Sequence, residues 1–156
     1  MIEPIRLAFE VDCPARHAFD VWTGRISAWW PADHTVSGEA NVAVVLEPRP
    51  GGRIFERTAA GVEHDWGEIV AWEPPTRFVY LWHLRRDRAD ATEVEIRFIQ
   101  RGDETTLVEI EHRGWEALGA DGQTWRDRNN GGWATLLPHF VAAAAAGGRR
   151  TAAPSP

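Results

Sequence analysis

The sequence predicts an α+β domain in which six to seven antiparallel strands curve around one long C-terminal helix. Three observations carry that prediction. Residues 5–11 alternate apolar and polar, the mark of a half-buried strand. Six further strand-like runs follow between Val42 and Arg113, separated by turn chemistry. Last comes an amphipathic stretch over about 123–146, and a long apolar stripe needs an apolar surface to cover it.

In the first strand Ile5, Leu7, Phe9 and Val11 share one face, and Arg6, Ala8 and Glu10 the other. Pro14 suits a first helical turn, with Asp12 or Cys13 as candidate cap. Ala18, Phe19, Val21 and Trp22 then give helical spacing over 14–23, and Ile26, Trp29 and Trp30 a second short helix that Pro31 stops. Residues 32–41 read as a polar loop. The later strands are placed at 42–47, 52–58, 62–73, 76–84, 92–101 and 104–113, and short spacers between consecutive strands mean an antiparallel meander. Matching apolar faces puts Phe98 opposite Val108 and Val94 opposite His112, with a bulge near Gly102. That register sets His112 on the inner face, one polar group in an apolar lining.

After Trp115 a loop holding Gly119 and Gly122 leads to the long helix, whose stripe is Trp133, Leu136, Leu137, Phe140, Val141 and Ala144. Gly131 and Gly132 each cost about 1 kcal/mol relative to Ala in a helix. Their presence predicts a backbone that passes close to something. Pro138 predicts a kink. Residues 1–146 are read as one domain and 147–156 as a disordered tail.

A chain of 156 residues buries roughly 70% of its unfolded surface, so a core needs no staples. Cys13 is the only cysteine, which excludes an internal disulfide. The N-terminus has neither a basic nor an apolar leader region, and no stretch reaches the ~18 apolar residues of a membrane span. A cytoplasmic location is the expectation, with no membrane association. The net charge of −6 argues against nucleic acid, which needs a basic face. All 17 basic residues are arginines. Arginine grips anions bidentately, yet the scatter of these residues reads as compositional bias. Nine tryptophans against one tyrosine exceed what packing requires. Either the core is unusually aromatic or some indoles line a pocket.

Several stretches together resemble one family. They are Ala18-Phe19 through Trp22-Thr23 with Trp29-Trp30-Pro31, Pro50-Gly51-Gly52-Arg53 before Phe55-Glu56, and Trp66-Gly67-Glu68-Ile69 running to Glu73-Pro74-Pro75. Arg77-Phe78-Val79-Tyr80-Leu81-Trp82, Thr105-Thr106-Leu107-Val108 to His112, and Gly132-Trp133 complete the set. This ordered set, over about residues 5–145, is similar to the homologues of the activator of heat-shock protein 90 ATPase, within the START-like (SRPBCC) superfamily. The resemblance implies a helix-grip fold with an internal cavity. It leaves activity open, since the superfamily includes lipid carriers, polyketide cyclases, hormone receptors and oxygenase domains. The family's name comes from a eukaryotic co-chaperone with an additional N-terminal domain, for which this chain leaves no room. That counts against a chaperone partner.

The leading reading is a binding protein for a small apolar or aromatic molecule held between sheet and helix. Its lining is expected to be Trp66, Tyr80, Trp82, Phe98, Ile110, His112, Trp133 and Leu137. A second reading is a cyclase-, aromatase- or hydratase-type enzyme with His112 or a buried acid among Asp65 and Glu68 as proton shuttle. The alternative for Glu68 is capping a bulge at Gly67. The third reading is a co-chaperone-type interaction module, and exposed indoles leave homodimerisation open. No cofactor is expected. The six histidines show no ligand spacing, and Gly51-Gly52 lacks the partners of a phosphate loop. His64 and His83 lie on adjacent strands, but His83 is expected to face solvent. Cys13 is either inert packing or a thiol activated by the helix after it. Arg53 and Arg57 are placed to meet an anion or neighbouring acids. The Trp29-Trp30-Pro31 cluster either gates a cavity mouth or plugs it.

Overall fold

The computed structural model describes residues 2–83 and 87–152, with backbone alone for residue 88 and residues 147–152. Seven strands, β1 (Ile5–Val11), β2 (Ala43–Leu46), β3 (Arg53–Arg57), β4 (Glu63–Glu73), β5 (Arg77–Trp82), β6 (Thr92–Gly102) and β7 (Thr105–Arg113), form one antiparallel sheet. Its order is β1-β7-β6-β5-β4-β3-β2, so six consecutive strands make a meander and the first closes onto the last. The helices are α1 (Ala15–Thr23), α2 (Ile26–Trp29) and α3 (Gly122–Ala152). This is the curved antiparallel sheet and long C-terminal helix that alternation and turn chemistry predict.

The predicted register of the last hairpin is present: Phe98 pairs with Val108 and Val94 with His112, with an irregularity between Gln100 and Gly102. Two more bulges interrupt β4, one beside Ile54/Phe55 of β3 and one between Ile69 and Ala71. An extra residue bends a strand and increases its twist, and bulges at three points curl this sheet. Its concave face packs against α1 and α3 through Phe19, Trp22, Phe78, Phe98, Val108, Ile110 and Phe140, all at most 2% exposed.

Several local expectations need correction. The residue preceding α1 in the capping position is Pro14, and no side chain of Asp12 or Cys13 caps the helix. The free Ala15 N–H instead donates to Gln100 Oε1 of β6 at 2.7 Å. His83, expected to face solvent, is 7% exposed, and its backbone N–H donates to Trp66 O at 2.8 Å, extending the β4–β5 pairing past Trp82. The segment after Trp115, expected as a loop, forms 3-10 turns within Trp115–Asp121 that are broken at Gly119, where the backbone is non-helical (φ 59°). Helix α3 runs through Pro138 and past residue 146 to Ala152, so the predicted tail begins as helix. Residues 153–156 lie outside the described residues, as do residues 84–86 at the start of the β5–β6 connection. No helix among the described residues is long and apolar enough to cross a membrane.

Candidate functional site

A recess of about 210 Å³ opens between the sheet and α3. Strand alternation aims Tyr80 and Trp82 of β5 at the concave face, and both line it. On the opposite wall, α3 contributes Arg128, Asn129, Gly132, Trp133 and Leu136, positions a turn apart that share one helix face. Trp30, at the end of α2, and Asp33 and His34, from the 3-10 turn Ala32–His34, complete the rim. A Cβ built on Gly132 would meet nothing within 4 Å. The recess thus exists partly because α3 carries no side chain there. Gly131 is equally unhindered, so the prediction of a close backbone approach at this pair is overturned.

Aromatic contacts link the rings on the α2 and sheet side of the recess. Trp30 lies 5.0 Å from Trp66 and 6.1 Å from Trp82, ring centroid to centroid, and Trp82 lies 5.9 Å from Tyr80. The polar groups sit at the mouth. His34 Nδ1 contacts Asp33 Oδ1 and its Nε2 contacts Thr135 Oγ1, both at 2.9 Å. The hydrogen bond and charge of His34 hold the Asp33 carboxyl below its usual range. Asn129 Nδ2 donates to Trp125 O at 2.9 Å, and the Arg128 guanidinium lies 5.2 Å over the Trp125 ring. Burial pushes the Tyr80 phenol well above its ordinary pKa, so this hydroxyl is neutral and available as a donor.

Three of the eight residues predicted to line a cavity, Tyr80, Trp82 and Trp133, form the recess wall. Trp66 lies one layer deeper, against a space of only about 10 Å³ shared with Trp22, Trp30, Tyr80 and Trp82. Its Nε1–H donates to Glu56 Oε1 at 2.7 Å. Phe98 and Ile110 are core residues, with Phe98 packed 5.3 Å from Phe19. Leu137 packs against the core, and its neighbour Leu136 takes the recess position. His112 sits behind Trp133. Trp133 Nε1–H donates to His112 Nδ1 at 3.1 Å, and His112 Nε2 meets Thr92 Oγ1 at 2.7 Å. Both ring nitrogens are engaged and the indole screens them, so His112 does not face the recess.

The other candidates resolve as structural groups. Asp65 binds Arg53 at 2.7 Å, and Arg57 binds Glu63 at 2.9 Å, so both arginines meet neighbouring acids. Cys13 is fully buried, and desolvation together with the nearby Glu104 and Asp12 carboxylates pushes its thiol up to about 11. That overturns activation by the helix. No cluster of three or more potential metal ligands occurs among the described residues. Trp29 is core, its Nε1–H on Val21 O at 2.9 Å, whereas Trp30 stands at the recess with its own Nε1–H on His34 O at 3.1 Å.

Glu56 is a buried acid that sequence reasoning passed over. It is 0% exposed and accepts from the Val36 and Ser37 N–H groups as well as Trp66. Burial pushes its carboxyl up, but these donors outweigh it and hold the pKa below the usual value. Its role is to pin the segment after Thr35 to β3.

A long helix gripped by a curled antiparallel sheet, with a recess between them, is the helix-grip architecture of START-like proteins. Residues 12–145 match the family model described as Activator of Hsp90 ATPase homolog 1-like protein, and the chain belongs to that family. Among solved structures it is similar to CalC from Micromonospora echinospora, described as a self-sacrificing resistance protein, at 25% identity and TM-score 0.71, covering 94% of this chain and 96% of that one. It is also similar to Txn09, described as an anthrahydroquino-gamma-pyrone synthase, at 28% identity and TM-score 0.63, covering 91% and 97%. An HSP90 activator from Plasmodium falciparum shares the fold at 17% identity and TM-score 0.63, covering 90% and 94%. No curated protein sequence matches the chain.

Proposed function

We propose that this protein binds a small apolar or aromatic molecule in the recess between β5, the end of α2 and α3. The observation that carries this reading is the recess itself, walled by the rings of Trp30, Tyr80, Trp82 and Trp133 and left open by Gly132. A buried aromatic wall with a few polar groups at one end is the usual composition of small-molecule sites. An apolar cavity of about 150 Å³ accommodates benzene, so about 210 Å³ suits a one- or two-ring compound with its edge at the mouth. The similarity to a synthase named for an aromatic polycycle supports the same class of ligand.

Calorimetric titration with 2-naphthol tests this. Gly132→Leu fills the recess with a better helix former, and Trp133→Ala removes a wall. Each is expected to weaken binding at least about tenfold, the loss of roughly 1.4 kcal/mol of contact. Wild-type affinity in both variants refutes the site.

An enzymatic reading is favoured by one observation, the His34–Asp33 pair at the recess. Asp33 orients the imidazole through Nδ1, and Nε2, which meets the exposed Thr135 hydroxyl, reaches a substrate for acid–base work by exchanging that contact. The proton shuttle of such a reaction is then His34, with His112 behind the wall. A pH–rate profile unchanged by His34→Ala removes it.

A further inference from the structure

The polar rim of the recess points to the chemistry of the ligand's substituents, an inference that rests on the recess being a binding site. Among the polar side chains there, Asp33 and His34 are engaged with each other, and His34 also with Thr135. Asn129 uses one amide N–H on Trp125 O, which leaves its second N–H and its Oδ1. Two further groups remain. The Tyr80 hydroxyl makes no hydrogen bond among the described residues, although Tyr80 is only 4% exposed and lines the recess. The Arg128 guanidinium makes no ion pair among the described residues. That is unlike the sheet, where Arg53, Arg57, Arg77, Arg97 and Arg113 all bind acids.

Three of these four can donate, and the Asn129 Oδ1 is the one that only accepts. The phenol is neutral because burial opposes its ionisation. A guanidinium has no acceptor function and offers a planar fork matched to a carboxylate. Asp33, the one carboxylate lining the recess among the described residues, is already held by His34. The Trp125 face, 5.2 Å from the Arg128 guanidinium, limits the freedom of a side chain that also lines the recess.

We infer that the ligand is a planar aromatic acid, its rings between Trp30, Trp82 and Trp133, its carboxylate or ionised hydroxyl on Arg128, and any inner acceptor oxygen on Tyr80. The geometry makes Arg128 a specificity residue: a neutral analogue of the same shape fills the same walls and leaves the fork with water alone. Because Arg128 is exposed, its contribution is modest. A charge-assisted pair at a wet rim corresponds to a preference of about fivefold.

The test compares 2-naphthoate with 2-naphthamide by calorimetry on the full chain at low salt. The wild type is expected to prefer the acid about fivefold, with the preference lost in Arg128→Gln and reversed in Arg128→Glu. Salt at 1 M, where the Debye length is about 3 Å, is expected to shrink it as well. Equal wild-type affinities that both fall in Gly132→Leu overturn the acid preference and leave the recess as the binding site. A preference that survives Arg128→Gln but disappears in Tyr80→Phe overturns the assignment to Arg128. Failure of both compounds to bind, or binding indifferent to Gly132→Leu, overturns the acid preference and the recess together.

Discussion

Glycines show how much one hydrogen can decide. At Gly67 of β4 an added Cβ would lie 1.9 Å from Leu81 O, within the ladder that joins β4 to β5. Neither strand can retreat without breaking its bonds, so Gly67→Ala is expected to lose about 3 kcal/mol or more in urea unfolding. A loss under 1 kcal/mol would show that the strands yield. Gly131 is the converse: it is exposed, helical and unhindered, so Gly131→Ala is expected to gain about 1 kcal/mol. For a chain of this size that raises Tm by roughly 2–4 °C, and an unchanged or lower Tm contradicts it. Sequence alone flagged Gly131 and Gly132 as unusual but inverted the cause, because an open space and a close approach both select glycine. Sequence likewise named Leu137 where Leu136 is used, since both belong to one apolar stripe and the phase of a helix against its neighbour is set by tertiary packing.

Strands β5, β6 and β7 were legible from the sequence, and so was the register of β6 with β7, because a slip of one residue would turn every apolar side chain outward. Their outer face was not. Directly opposed there are Arg77 with Arg97 and Glu95 with Glu111, like charges that alone would repel. Glu95 resolves the conflict by binding Arg77 at 2.7 Å, Arg113 at 2.9 Å and Arg97 at 3.1 Å. Burial pushes its carboxyl up, but the Arg77 and Arg113 hydrogen bonds and the charges of Arg77 and Arg97 outweigh burial and bring it down to about 2. A carboxylate whose pKa is lower folded than unfolded stabilises the fold above its unfolded value of 4.5. That stabilisation is lost as pH falls from about 4.5 toward 2. Glu95→Gln is therefore expected to lower stability at pH 7 and to flatten the acid dependence across that window. Denaturant midpoints at pH 7, 4.5 and 3 measure both effects. An unaltered slope between pH 4.5 and 3 removes Glu95 from the acid response.

At the scale of the molecule, the order of elements was readable because each carries its own period and turn chemistry. The recess was not, because it is assembled from α2, the turn after it, β5 and α3, and its rim residues Asp33, His34, Arg128 and Asn129 look like ordinary solvent-facing positions. His112 was found on the inner face for the right reason, yet its place is behind the wall. There it joins three strands to the helix: Trp133 of α3 donates to His112 of β7, His112 meets Thr92 of β6, and Thr92 Oγ1 reaches Trp82 O of β5 at 3.4 Å. Trp115 closes the group, its Nε1–H on His112 O at 3.0 Å and its ring 4.3 Å from the imidazole. The wall of the recess is thus oriented from the interior of the sheet. Removing the acceptor strands a buried indole N–H, which costs about 1–3 kcal/mol, so His112→Phe and Trp133→Phe should not be additive. A double-mutant cycle in urea is expected to give a coupling of about 1–2 kcal/mol, whereas independent sites add within about 0.5 kcal/mol. His112→Phe is also expected to weaken 2-naphthol binding, although the imidazole does not line the recess, because Trp133 loses the bond that fixes its ring. Additive stabilities together with wild-type affinity in His112→Phe would mean that the wall holds its shape without the sheet behind it.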